Sequence, residues 1–174
     1  MLTLVVGGAG SGKSAYAESL VLRSMAARRV YAATMEPRGR EALERIQKHR
    51  IMRENKGFVT AERFTDLEHL NVPTDSVVLL EDVGNLCANE LFSPAGSPEN
   101  AAGAILRGVE HLRRKSRDLV IVSNEVFTGG ADYQGDTVRY LSILSYVNRR
   151  LAELADNVCE VAGGIAVYYK GEEA

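Results

Sequence analysis

The stretch GGAGSGKS, which ends at Ser14, constrains the fold of this chain more than any other feature of its sequence. Gly7, Gly12, Lys13 and Ser14 match the G-x-x-x-x-G-K-[ST] pattern of a phosphate-binding P-loop. The apolar run before it, LTLVV, is typical of a buried strand. Apolar residues at helical spacing follow it, without Gly or Pro, so we predict a helix over 15–28. A loop between such a strand and such a helix is expected to bind a nucleoside triphosphate, either ATP or GTP.

The residue types of this loop suit phosphate chemistry. Glycines allow successive backbone N–H groups to point inward at an anion, and the helix N-terminus adds partial positive charge. Lys13, which we expect to be exposed at the helix start, is placed to reach the outer phosphates, and the Ser14 hydroxyl is placed to bind Mg²⁺. The alternative is a glycine-rich turn with a coincidental Lys-Ser pair. The loop alone does not separate a kinase from a switch or a motor.

Strand-like and helical patterns alternate along the rest of the chain. Further strand-like runs lie at 29–34, 76–81 and 118–124, and helical patterns lie at 39–54, 98–115 and 135–156. The run 158–169 contains Gly163-Gly164 and predicts a closing hairpin, whereas 92–100 reads as a surface loop. We therefore predict an α/β fold, a single P-loop NTPase domain of the RecA-like type over 1–174, with a mostly parallel sheet flanked by helices and a C-terminal hairpin.

Composition narrows the class of partner. The 174 residues are 45% hydrophobic and 25% charged, as in an ordinary globular protein, and the net charge of −2 provides no basic field for nucleic acid. No apolar run approaches membrane-spanning length, so no membrane partner is predicted. Cys87 and Cys159 match no metal-binding spacing. We expect a cytoplasmic protein.

Polar residues follow the strands at the edge where ligands of parallel sheets gather. Glu81 and Asp82 end the run VVLLED, and one of them is expected to hold Mg²⁺ or the nucleotide; a solvated strand end is the alternative. Ser123, Asn124 and Glu125 follow the run DLVIV. The glycine-bearing stretch after them, FTGGADYQGD, suits a second-substrate site, and a turn with a helix cap is the alternative.

His49 lies at the border of the apolar stripe of the helix predicted over 39–54. Arg45, Arg50 and Arg53 stand within one turn of it, where they would bind phosphates and disfavour a second proton on the imidazole. A neutral imidazole beside phosphates is a competent nucleophile toward phosphorus. A half-buried structural histidine among solvated arginines is the alternative, and spacing alone does not decide between them.

Several short motifs occur together in one order: GGAGSGKS, YAAT, RIQKH, TAE, LLE, NELF, SNEV and VNRRLAELADNVCEVAGG. In this combination the chain resembles the bifunctional adenosylcobinamide kinase / adenosylcobinamide-phosphate guanylyltransferase family of cobalamin biosynthesis, over nearly its whole length. The resemblance implies a homotrimer that phosphorylates a corrinoid, adenosylcobinamide, and then attaches GMP to that phosphate. After SNEV the chain departs from the family's usual G-x-G-I-V-P stretch.

The resemblance also implies roles for individual residues. His49 would carry the guanylyl group, Lys13 would act in catalysis, and Ser14 and Glu81 would hold Mg²⁺. The nucleotide would contact Gly7, Gly8, Ala9, Gly10, Ser11, Gly12, Lys13, Ser14, Ala33, Thr34, Met35, Arg50, Ile51, Met52, Arg53, Glu62 and Glu81.

Two other functions remain open from the residues. One is a small-molecule P-loop kinase in which His49 is only structural. The other is a non-catalytic module that senses a nucleotide with the same loop. A covalent GMP adduct would separate the family's chemistry from both.

Overall fold

A seven-stranded sheet forms the centre of the protein in the computed structural model, which describes residues 1–126 and 133–172. Its strands are β1 (Leu2–Gly7), β2 (Arg28–Ala33), β3 (Phe58–Glu62), β4 (Ser76–Glu81), β5 (Asp118–Asn124), β6 (Asn157–Ala162) and β7 (Ile165–Lys170). They lie in the order β3-β2-β4-β5-β1-β6-β7, and only the β6–β7 pair is antiparallel. Residues 127–132 of the predicted second-substrate stretch lie outside the described residues.

Five α-helices accompany the sheet in the described part of the chain. They are α1 (Lys13–Arg23), α2 (Gly39–Arg53), α3 (Val83–Phe92), α4 (Ala101–Lys115) and α5 (Asp136–Leu154), with short 3₁₀ turns at Leu67–His69 and Pro98–Asn100. None of the described helices is long and apolar enough to cross a membrane.

The central strand β4 shows how the layers are held together. All six of its residues are buried, and successive side chains point to opposite faces. Val78 and Leu80 pack in the larger core with α3, α4 and α5, whereas Val77 and Leu79 pack in the smaller core with α1. A strand that is buried on both faces gives the continuous apolar run seen in the sequence.

The predicted fold class is confirmed: a P-loop α/β protein with a mostly parallel sheet flanked by helices and a C-terminal hairpin. The helix predicted over 15–28 is too long, because α1 ends at Arg23 and the chain has already entered β2 at Arg28. Neither β3 nor α3 is predicted from the sequence. The predicted loop at 92–100 begins at the last residue of α3 and includes the second 3₁₀ turn.

The hairpin of β6 and β7 supports the P-loop from one side. The Gly164 amide donates a hydrogen bond to the Ser11 carbonyl over 2.8 Å. Gly12 has φ of +92°, and a Cβ there would lie 3.1 Å from the Gly164 Cα. A Cβ on Gly7 would lie 2.6 Å from the Val161 carbonyl oxygen. The loop therefore takes its shape from contacts with the hairpin as well as from its own glycines.

This packing predicts different effects of alanine at two adjacent glycines. Gly7→Ala should destabilise the nucleotide-free protein by about 1–3 kcal/mol, because the new methyl group overlaps the Val161 carbonyl oxygen and the Ser11 hydroxyl. Gly8→Ala should leave thermal unfolding nearly unchanged, because no atom lies within 4 Å of a Cβ at that position. Thermal unfolding of the two variants without nucleotide measures the difference, and equal melting temperatures would contradict this packing.

Candidate active site

A cavity of about 590 Å³ lies between the P-loop, α2 and the carboxyl ends of the strands. Its wall contains His49 and most of the residues predicted to contact nucleotide. These are Ala9, Gly10, Ser11, Gly12, Lys13, Ser14, Ala33, Met35, Arg50, Met52, Arg53, Glu62 and Glu81. The other predicted contacts, Gly7, Gly8, Thr34 and Ile51, are not on this wall. The fold therefore brings residues from distant parts of the sequence to one cavity.

Lys13 differs from its expected exposure. It is buried, with 9% of its surface accessible, and its Nζ donates a hydrogen bond to the Gly8 carbonyl over 3.1 Å. The expectation of an exposed lysine is wrong because the loop folds back over the start of α1. Burial lowers the pKa of Lys13, although Asp82 and Glu81 act in the opposite direction. A bound polyphosphate would give this ammonium group an anionic partner in place of the carbonyl.

Ser14, Glu81 and His49 meet at the centre of the cavity. The Ser14 hydroxyl donates a hydrogen bond to Glu81 Oε1 over 2.5 Å, and His49 Nδ1 lies 3.6 Å from the same oxygen. Glu81 Oε2 and His49 Nδ1 are both buried and have no hydrogen-bond partner. Buried polar atoms normally find a partner, so these atoms are placed for contacts that a ligand would complete.

The residues at this point fit a magnesium ion. Burial raises the pKa of Glu81 to about 7, although the Ser14 hydrogen bond opposes the shift. A cation at the unpartnered Oε2 would favour the charged carboxylate and offset that burial. A hydroxyl and a carboxylate are oxygen ligands of the kind that Mg²⁺ prefers, so the predicted ligands Ser14 and Glu81 are compatible with the ion.

Asp82 and Thr34 fix the end of β4. The Asp82 carboxylate caps α3 by accepting a hydrogen bond from the Asn85 amide over 2.6 Å. The buried Thr34 hydroxyl donates to the Asp82 carbonyl and accepts from the Asp82 amide, each over 2.8 Å. The Thr34 side chain therefore holds the backbone beside the site and does not face the cavity.

The three polar residues predicted to act together at the end of β5, Ser123, Asn124 and Glu125, have different surroundings in the structure. Ser123 is fully buried and donates a hydrogen bond to Asn148 Oδ1 on α5 over 2.6 Å. Asn124 lies on the cavity wall, and its side chain hydrogen-bonds Asp82. The Glu125 amide donates to the Gly7 carbonyl over 3.0 Å, which joins this strand end to the P-loop. Of these three residues, only Asn124 lines the P-loop cavity.

The helix α2 carries His49 and is fastened to the body at its C-terminal end. Arg53 is the buried residue of this fully described helix, and its guanidinium carbon lies 3.2 Å from the centre of the Tyr31 ring. Just after the helix, Lys56 pairs with the buried Glu18 of α1 over 2.5 Å. Glu18 is not predicted from the sequence, and Tyr31 appears there only as part of the YAAT motif. Glu18 follows Ser14 by four residues on one helical face, a spacing that could have indicated its position.

Burial and nearby positive charges favour the neutral form of the His49 imidazole. Its side chain is 22% exposed. Burial is the main cause that lowers its pKa, and the guanidinium groups of Arg53 and Arg45 lower it further. The predicted effect of the arginines is thus present for these two, while Arg50 turns to Glu62 and pairs with it over 3.2 Å.

The outer side of α2 lines a second cavity of about 830 Å³. Ile51 is 59% exposed and lies on this second wall with Leu43, which is 52% exposed. Ile51 thus lines the second cavity and not the P-loop cavity, and the nucleotide contact predicted for it stays a prediction. Arg50 and Glu62 border both cavities.

The chain is similar to known proteins over nearly its whole length. The family model described as cobinamide kinase / cobinamide phosphate guanyltransferase matches residues 3–169. Two relatives called bifunctional adenosylcobalamin biosynthesis protein CobU, from Escherichia coli (strain K12) and Salmonella typhimurium (strain LT2), are each 33% identical to this chain over 184 residues. The matches cover 98% of this chain and 100% of each relative.

Solved structures share the fold at low identity. A protein from Pyrococcus horikoshii OT3 is 8% identical with a TM-score of 0.57, covering 99% of this chain and 87% of that one. An ATPase from the type III secretion system of pathogenic bacteria is 11% identical with a TM-score of 0.52, covering 96% of this chain and 56% of that one. These similarities show the fold alone.

The charges around His49 predict the effect of removing one arginine. The imidazole should titrate below its ordinary value of 6.5 in the folded protein. Arg45→Ala should raise that pKa, because it removes a positive charge that disfavours the imidazolium. Arg40→Ala is the control, since Arg40 is on the same helix but pairs with Glu44 and is not on the wall of the P-loop cavity. NMR titration of the His49 ring measures both, and an unchanged pKa in Arg45→Ala would contradict this account.

Proposed function

We propose, since the chain belongs to the cobinamide kinase / cobinamide phosphate guanyltransferase family, that it phosphorylates adenosylcobinamide and then transfers GMP from GTP to adenosylcobinamide phosphate through a guanylylated His49. One observation carries this proposal: the unpartnered His49 Nδ1 lies in the same cavity as the P-loop and 3.6 Å from Glu81. A kinase alone needs the loop and the carboxylate but not a half-buried imidazole beside them.

In the kinase step the chain would position the triphosphate and neutralise its charge. The P-loop amides and Lys13 would bind the outer phosphates, with Lys13 released from the Gly8 carbonyl to do so. Ser14 and Glu81 would hold magnesium, which when bound supplies positive charge to the phosphates. Arg45 and Arg53 stand on the same wall and add charge from the α2 side.

In the guanylyl step His49 would act as the nucleophile. An imidazole nitrogen forms a bond to the α-phosphorus while the bond from that phosphorus to the bridging oxygen of pyrophosphate breaks. The corrinoid phosphate then takes GMP from the imidazole and restores the free ring. The lowered pKa of His49 suits this role, because the attacking nitrogen must keep its lone pair.

The remaining assignments rest on the family. We propose a single-domain cytoplasmic homotrimer in which the metal ligands and the predicted nucleotide contacts on the P-loop cavity wall act as the resemblance implies. The contacts predicted for Gly7, Gly8, Thr34 and Ile51, which are not on this wall, stay predictions. Leu43 and Ile51 are exposed on α2, which is compatible with another subunit of the trimer packing against this helix. The small-molecule kinase without guanylyl transfer is the second candidate, and it is favoured if His49 proves to be a structural residue.

Replacing His49 separates the two reactions. His49→Asn should abolish incorporation of label from α-labelled GTP, because an amide forms no lasting bond to phosphorus. It should spare most phosphorylation of adenosylcobinamide by ATP, because that transfer needs no nucleophile from the protein. Both rates are measured on the same preparation.

His69→Asn provides the matched control. His69 is 66% exposed and pairs with Asp66, and it is not on the cavity wall, so both reactions should continue at the rate of the unmodified protein. Label on His49→Asn at the unmodified rate would place the nucleophile elsewhere and contradict the proposal.

A further inference from the structure

The two adjacent carboxylates at the end of β4 face different neighbours. Glu81 contacts Ser14 and His49, on the side that the guanylyl step would use. Asp82 contacts the Asn85 amide and the Asn124 side chain, at the carboxyl ends of β4 and β5. Glu81 is the last residue of β4, whereas Asp82 is the cap of α3, so the two acidic groups have different hydrogen-bond partners although both line the P-loop cavity. No step described so far uses the Asp82 carboxylate.

Asp82 is held rigidly and still has acceptor capacity. Thr34 fixes its backbone at both the amide and the carbonyl. The Asn85 amide and the Asn124 side chain are its hydrogen-bond donors, and an ionised carboxylate offers about four lone-pair positions. Asp82 is 7% exposed, and that exposure is to the P-loop cavity, whose wall it shares with Asn85 and Asn124.

The surroundings of Asp82 are those of the outer phosphate. Lys13 and Arg45 are the cations that act on its carboxylate. Lys13 is the residue expected to reach the outer phosphates, and Gly7 lies opposite Asn124 in the β1–β5 register. With Lys13 bound to the outer phosphates as proposed, a group held beside Asp82 would lie close to the phosphate that a kinase transfers.

Helix capping alone does not account for a carboxylate at this position. A neutral Ser, Thr or Asn would cap α3 as well as Asp does. A carboxylate that is almost fully buried adds a desolvation cost, which the neutral caps avoid. The charge is thus retained beside the loop lysine at a position where the cap does not require it.

We propose that Asp82 is a further catalytic residue, which accepts a hydrogen bond from the hydroxyl of the phosphoryl acceptor and orients its oxygen toward the γ-phosphorus, while Asn124 holds the carboxylate in place. The acceptor oxygen forms a bond to the γ-phosphorus as the bond to the β–γ bridging oxygen breaks, and that electron pair leaves on the nucleoside diphosphate. The hydroxyl proton leaves to water once the new bond to phosphorus has formed, so Asp82 acts by orienting the acceptor oxygen. The inference rests on the proposed kinase function and adds the residue that handles its acceptor.

Asp82→Asn and Asp82→Ser test this role, because both replacements keep a cap for α3 and leave Glu81 in place. The kcat for phosphorylation of adenosylcobinamide by ATP should fall about 100-fold, the loss expected when the acceptor oxygen is no longer held in position. ATP affinity, measured by calorimetry, should stay within about threefold. Labelling of His49 by α-labelled GTP should also continue near the unmodified rate, whereas a merely structural residue would affect all three measurements.

Basal hydrolysis of ATP gives a second readout that does not depend on the corrinoid. Water is the smallest hydroxyl acceptor, so hydrolysis should fall in both Asp82 variants and stay unchanged in the control Asp75→Asn, whose side chain is 60% exposed. If the protein without substitutions hydrolyses ATP but does not phosphorylate adenosylcobinamide, the proposed function is refuted. The role of Asp82 can then still be tested by ATP hydrolysis. Undiminished phosphorylation and hydrolysis in Asp82→Asn, or an equal loss of phosphorylation and His49 labelling, would overturn the inference.

Discussion

Burial of charge beside the P-loop is the constraint on which the rest of this site depends. Lys13, Glu81 and Asp82 are all buried at the start of α1 and the end of β4, and burial disfavours the charged form of each. The protein satisfies these groups only in part, with a carbonyl for Lys13, a hydroxyl for Glu81 and a helix amide for Asp82. A triphosphate with its metal ion would bring the missing charges. Such a ligand would also offer contacts to Glu81 Oε2 and His49 Nδ1, which have no hydrogen-bond partner among the described residues.

The position of His49 follows from the way α2 is attached. The contacts of Arg53 with Tyr31 and of Lys56 with Glu18 fasten the C-terminal end of the helix over the sheet. His49 lies one turn before Arg53, so the same attachment brings its ring to Glu81. Arg53 thus has two effects: it helps to hold the helix in place, and it lowers the pKa of the imidazole. Arg53 therefore contributes both to the placement and to the reactivity of the proposed nucleophile.

Local patterns predict the P-loop, the central strands and the hairpin, because each has a strong signal of apolar period or glycine spacing. The strand β3 escapes prediction because it is a short edge strand whose side chains are exposed or only partly buried. The helix α3 is not predicted because Asp82 is interpreted as a ligand of the metal or nucleotide. The same residue is also the cap that begins this helix. The candidate site residues His49 and Glu81 are predicted from residue type, spacing and resemblance. The 3.6 Å distance between His49 Nδ1 and Glu81 Oε1 is not predicted, because it depends on how Arg53 and Lys56 attach a helix from another part of the chain.

The most direct test of the central claim is mass spectrometry of the protein after incubation with GTP and magnesium. A covalent GMP on the peptide that contains His49, stable in alkali and labile in acid as a phosphoramidate is, is the result this account predicts. An unmodified protein, or GMP attached to any other residue, would contradict the claim that His49 carries the guanylyl group.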